Sequence, residues 1–141
     1  MLDTLRSIVQ EVSAATDLSD ALTVVVTRIR NAMRTEVSSV YLYDSETKRY
    51  LLMATKGLNQ DAVGKVSLGS SEGLVGLVGS REELINTEDA PAHPRYHYLS
   101  ETGEEKYHSF LGVPIIHHRR LMGVLVVQQQ ERRKFDESEE A

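Results

Sequence analysis

Residues 109–129 read SFLGVPIIHHRRLMGVLVVQQ: two strongly apolar runs, Ser109–Ile116 and Leu121–Gln129, joined by the polar tetrapeptide His117–Arg120. Runs of this length, rich in Val, Ile and Leu and bounded by a polar turn, predict a β-hairpin. Little polar alternation interrupts them, which places both strands in the middle of a sheet. Toward the N-terminus, Val37–Tyr43 and Tyr50–Thr55 are β-branched and aromatic and flank the polar stretch Asp44–Arg49, so they predict a second hairpin. Tyr41 and Tyr43 alternate with Val40 and Leu42, which puts phenol rings on one strand face and aliphatic groups on the other. Two shorter apolar pieces, Val66–Leu68 and Leu84–Asn86, bring the expected sheet to about six strands.

Helical spacing appears at Leu2, Leu5, Val9 and Val12. It appears again at Leu18, Ala21, Leu22, Val25, Ile29 and Ala32, with Thr16, Asp17 and Ser19 as cap candidates. The stretch SSEGLVGLVG, residues 70–79, predicts a short helix capped by Ser70 or Ser71. Residues Asp89–His108 hold two prolines and no periodicity, and predict a long loop able to act as a lid. Asp136 and Glu139 have capping-box spacing at the start of a terminal helix, so residues 1–141 are expected to form one domain cut at that helix from a longer polypeptide. The order implies an α+β fold: a mainly antiparallel central sheet with helices on one face, and a ligand pocket on the other under the short helix and loops.

Composition excludes several classes of function. The 141 residues carry 16 Lys+Arg against 21 Asp+Glu, a formal net charge of -5, which argues against nucleic acid as a partner. Cysteine is absent, which removes disulfides, thiolate nucleophiles and Cys-ligated metals. No apolar run reaches the roughly 18 residues of a membrane span, and Asp3 and Arg6 interrupt the start, so a cytoplasmic protein with no membrane partner is expected.

Five stretches together resemble the GAF domain, a small-molecule sensing module of signalling proteins: Val37–Asp44 (VSSVYLYD), Glu72–Gly76 (EGLVG), Asn86–Pro94 (NTEDAPAHP) with Arg95, Ser109–Ile115 (SFLGVPI) and Gly123–Gln128 (GVLVVQ). More narrowly, the chain resembles the N-terminal GAF modules of nitrogen-related phosphoenolpyruvate-protein phosphotransferases, the enzyme I family of the nitrogen phosphotransferase system. That resemblance implies catalytic domains downstream, no catalysis in this stretch, and adjustment of autophosphorylation by a nitrogen metabolite, glutamine or 2-oxoglutarate.

The candidate ligand residues are Tyr41, Tyr43, Glu72, Gly73, Gly76, Asn86, Asp89, Arg95, Tyr96 and Phe110; no catalytic residue, metal or cofactor is expected. Gly73, Gly76 and Gly79 match neither phosphate-loop spacing. They serve either close helix packing or a helix start whose free N–H groups hold a ligand carboxylate, with Glu72 nearby as a complication. Asp89 and Arg95 are the acceptor and donor an amino acid requires, while Asn86 and Asp89 could equally bond their own turns. For 2-oxoglutarate, Arg95 and Lys106 would matter more. His93, His97, His117 and His118 lack a spacing that fixes a shared face for a metal. The competing function is a dimerisation or docking module with a vestigial pocket, built on the two opening helices.

Overall fold

The computed structural model describes residues 18–70, 72–93, 107–131 and 135, with side chains from residue 20 onward. The expected helix at residues 2–12, the loop between residues 94 and 106, and the Asp136–Glu139 capping box lie outside the described residues. Helix α1 spans Leu18–Met33. Ala21, Leu22, Val25, Val26 and Ile29 are its buried stripe, while Ala32, expected on that face, is exposed and Met33 packs inward instead. Helix α1 ends where Arg34 takes φ 55° and the Thr35 N–H reaches back to the Arg30 carbonyl at 3.2 Å, a left-handed cap without the usual glycine.

Strands β1 (Val37–Asp44) and β2 (Arg49–Lys56) form the first hairpin. Its turn is fixed by Asp44, whose carboxylate accepts from the Glu46 N–H at 2.9 Å and whose carbonyl accepts from the Lys48 N–H at 2.8 Å. A one-turn 3₁₀ segment (Gln60–Ala62), β3 (Ser67–Gly69), helix α2 (Gly73–Arg81), β4 (Ile85–Thr87) and a second 3₁₀ turn (Ala90–Ala92) follow. Strands β5 (Ser109–His117) and β6 (Arg120–Gln129) complete the sheet. Their turn is tighter than the sequence suggests: only His118 and Arg119 stand between the last paired residues, both at positive φ, as a two-residue hairpin requires.

The sheet order is β3-β2-β1-β6-β5-β4, every neighbouring pair antiparallel, and the β5–β6 hairpin adjoins β1 near the centre. Two apolar layers cover it. On one side α1 packs on Val40, Ala54, Leu111, Val113, Leu125 and Val127. On the other, Leu74, Val75 and Val78 of α2 pack on Tyr41, Leu52, Phe110, Val124 and Val126. A β-bulge sets which side β2 serves: Val40 faces Ala54 and Tyr41 faces Leu52, leaving Met53 without a counterpart.

On the α1 side, Ser38 is fully buried, and its hydroxyl has no partner among the described residues. A buried hydroxyl left unbonded costs about 1–3 kcal/mol. Ser38→Ala is therefore expected to raise stability by about 1 kcal/mol in urea unfolding. A fall of that size would show that the hydroxyl is bonded after all.

Candidate functional site

The α2-facing side of the sheet changes character along its length. Near the β1–β2 turn, Tyr43 and Tyr50 meet with ring centroids 4.9 Å apart and planes tilted by 47°. Tyr50 is 1% exposed, and its hydroxyl lies against Gly79, where a side chain would collide with it. Burial, reinforced by the neighbouring Tyr43 and Glu82, pushes the Tyr50 phenol up to about 12 from its ordinary 10.0. Because the folded-state value is raised, this group's stabilising contribution is complete below pH 10 and is lost as pH climbs toward 12. The loss is on the order of 2–3 kcal/mol. Unfolding free energy measured between pH 9 and 12 should show the decline, and Tyr50→Phe should flatten it.

In the middle, Tyr41, Phe110, Val124 and Val126 meet Leu74, Val75 and Val78 in a purely apolar layer. Toward the far end the lining turns polar while staying buried. Ser39 Oγ and Thr55 Oγ1 are 2.8 Å apart, and Gln128, 3% exposed, stands on the same face because it alternates with Val124 and Val126. Gln128 is flanked across the ladder by Val37 and Phe110. Val37 packs with Leu58 and Tyr107 around this end, and Gln60 Nε2 donates to the Thr55 carbonyl at 2.6 Å.

The neck of the 89–108 segment closes beside this polar floor. The Ala90 N–H donates to the His108 carbonyl at 2.6 Å, the His108 N–H donates to the Gln129 carbonyl at 2.8 Å, and Asp89 Oδ1 lies 3.0 Å from His108 Nδ1. Asp89 thus already faces a histidine. Part of the segment is ordered where no periodicity predicts structure: Pro91 is the second residue of the 3₁₀ turn, its fixed φ suiting the first turn of a helix.

The start of α2 differs from expectation as well. The helix begins at Gly73, which takes φ 63°, with Glu72 rather than Ser70 or Ser71 at the cap position. Glu72 makes no side-chain cap bond; its Oε1 turns back to accept from the Gly69 N–H at 3.1 Å, 3.9 Å from Arg49 Nη1. Gly73 and Gly76 are buried in α2. Asn86 points to the opposite side of the sheet, where its amide bonds the backbone of Phe135. Arg95, Tyr96 and Lys106 lie outside the described residues.

The structure therefore brings Tyr41 and Phe110 together under α2, and sets Tyr43 at one end with Tyr50. Sequence reasoning passed over Ser39, Thr55 and Gln128. The available signal was polar residues interrupting strands that are otherwise apolar. Among the described residues, no group of three or more His, Asp or Glu could hold a metal ion. His117 and His118 merely stack edge to face, 4.0 Å between ring centroids. No described helix is long and apolar enough to cross a membrane.

The sequence pattern of the GAF domain matches residues 17–141. Over all 141 residues the chain is 52% identical to proteins of the "Phosphoenolpyruvate-dependent phosphotransferase system" from Escherichia coli and Salmonella typhimurium, and it spans 19% of their length. Among solved structures, the GAF domain of a phosphoenolpyruvate-protein phosphotransferase (ptsP) from Coxiella burnetii is 51% identical with TM-score 0.87, covering 99% of this chain and 83% of that one. The corresponding Acinetobacter domain is 50% identical with TM-score 0.83, covering 99% and 82%. A free methionine-R-sulfoxide reductase from Neisseria meningitidis, 21% identical with TM-score 0.76 over 96% of this chain and 76% of that one, shares the fold.

Proposed function

This chain belongs to the GAF domain family, and from that premise we propose that it is the metabolite-sensing module of a phosphotransferase-system enzyme I, adjusting autophosphorylation in catalytic domains elsewhere in a longer chain. The observation that carries the reading is the buried polar floor of Ser39, Thr55 and Gln128. Polar side chains in an apolar layer are costly unless they are bonded. Ser39 and Thr55 meet that condition by bonding each other, and what favours sensing is their convergence with Gln128, since a site for a polar solute is an apolar recess with a few convergent polar groups.

The ligand is a small nitrogen metabolite, glutamine or 2-oxoglutarate, seated between the floor, Tyr41, Phe110 and the start of α2. The Gly76 N–H already donates to the Glu72 carbonyl at 3.0 Å, so the backbone N–H at Gly73 and the Arg95 guanidinium are the donors for the ligand's carboxylate, and Asp89 the acceptor for an ammonium group. Occupancy tightens the 89–108 segment. To act as a signal the ligand must bind two states unequally, by about 1–3 kcal/mol.

Thermal unfolding tests this. A ligand at 100 times its Kd stabilises the fold by about 2.7 kcal/mol, and Gln128→Leu should erase that gain while leaving the unliganded melt in place. No response to either metabolite, or to related amino acids and oxo acids at millimolar concentration, would count against sensing. A dimerisation module is the second reading, favoured by Val24, which stands exposed on α1. A dimer at all concentrations in sedimentation, with no ligand response, would support it.

A further inference from the structure

Gln128 is 3% exposed, yet no hydrogen bond to its carboxamide forms among the described residues. Among those residues, Ser38 Oγ is the only side-chain polar atom both sealed off and without a partner. The Gln128 amide, unbonded but not sealed, therefore borders a gap in the layer under α2. The ladder fixes its place there. Gln128 alternates with Val124 and Val126 on β6 and stands directly across from Val37 of β1 and Phe110 of β5. Ser39 is its diagonal neighbour, roughly 7–8 Å away and within reach of a long side chain. Ser39 Oγ in turn lies 2.8 Å from Thr55 Oγ1 on β2. One of these hydroxyls donates to the other, so a single O–H is left to give.

The row across β6, β1 and β2 thus offers an amide N–H2, an amide oxygen and one O–H, all uncharged. No described cation stands in it: Lys56, the residue after Thr55, faces the α1 side with Ala54. A carboxylate placed on this row would be buried without a counter-charge, a far heavier penalty than burying a neutral group. It would also bring acceptors alone and leave the amide oxygen of Gln128 unpaired. A primary carboxamide avoids both faults. Its oxygen accepts from Gln128 Nε2 while its N–H donates to Gln128 Oε1, so each donor meets an acceptor, and the spare hydroxyl is a further donor for the same oxygen. We propose that Gln128 is the specificity-determining residue of the sensing site, reading a primary carboxamide on the solute and refusing a carboxylate. The proposal rests on the sensing function above and separates its two metabolites: glutamine ends in a carboxamide, whereas 2-oxoglutarate carries a carboxylate at each end.

Calorimetric titration of the 141-residue chain with glutamine, glutamate and 2-oxoglutarate tests the assignment. Glutamate differs from glutamine in the end group alone. Glutamine should bind at least about 100-fold more tightly than either of the others, as a site that leaves polar groups unpaired rejects a near-isostere. Gln128→Leu should weaken glutamine by about 10-fold or more, the loss expected for two ordinary hydrogen bonds, and narrow its margin over glutamate by the same factor. Gln128→Glu keeps the length and loses the donor. Ornithine, whose terminal ammonium falls where glutamine carries its amide nitrogen, should then gain on glutamine by at least about 10-fold. In the unsubstituted chain the side-chain N–H2 resonances of Gln128 should move on saturation with glutamine, a readout that stands even if neither variant folds. Equal affinity for glutamine and glutamate, or binding of 2-oxoglutarate alone, overturns the carboxamide reading and leaves sensing in place. Selective glutamine binding with unmoved Gln128 resonances, or unaltered in Gln128→Leu, overturns Gln128 as the reader. Silence toward every amino acid and oxo acid removes the sensing function itself, and this assignment with it.

Discussion

Gly79→Ala destabilises the domain by about 3 kcal/mol, a fall of roughly 10 °C in melting temperature for a chain of this size. The added methyl falls inside the Tyr50 hydroxyl, with the ring carbon that bears it 2.5 Å away. Tyr50 has little room to retreat, since it is 1% exposed and held against Tyr43. Retreat of α2 instead would separate Leu74, Val75 and Val78 from the sheet. Tyr50→Phe removes the nearest clashing atom and leaves the ring carbon, so the double variant should recover part of the loss. The interaction energy should be about 1 kcal/mol or more. Strict additivity of the two substitutions in urea unfolding would mean that the helix relaxes away from Tyr50, and the close approach would then not limit this layer.

Leu125→Ala is the second large effect, an expected loss of about 3–5 kcal/mol. Leu125 is 1% exposed on β6, between Val40 of β1 and Val113 of β5, under the stripe of α1. Truncation there opens a cavity walled on three sides by strands whose hydrogen-bonded register prevents collapse. Leu125→Met keeps the volume and should cost less than about 1.5 kcal/mol. Leu84→Ala, at a site 42% exposed, should change stability by about 0.5 kcal/mol or less. Equal losses at residues 84 and 125 in denaturant titration would contradict the two-layer core.

Much of this architecture is legible because burial imposes period. The β5–β6 hairpin, the facing of Val40 and Leu42 against Tyr41 and Tyr43, and most of the buried stripe of α1 follow from apolar spacing alone. The one-residue displacements, Leu84–Asn86 read for Ile85–Thr87 and Val66–Leu68 for Ser67–Gly69, arise because a short strand carries too few apolar residues to fix its ends. Long-range polar pairing is not legible. Asn86 reads as a turn or ligand residue, and its partner lies 49 positions away. Nor does the sequence show that Ser39 and Thr55 meet, since their encounter depends on the bulge at Met53, which an apolar run such as Leu51–Ala54 conceals. The candidate site was therefore legible in its apolar members, Tyr41 and Phe110, and silent about the polar ones.

The surplus residue at Met53 works like a frameshift in three dimensions. Upstream of it, even-numbered positions of β2 look toward α2; downstream, odd-numbered ones do. Deleting it would restore uniform pleating and leave Thr55 opposite Ser39, whereas ironing the bulge out with Met53 retained would set Ala54 opposite Ser39 and turn the Thr55 hydroxyl into the oily layer beneath α1. Relatives of this domain that pair the same number of residues here without the bulge would share its outline while differing in what they can hold.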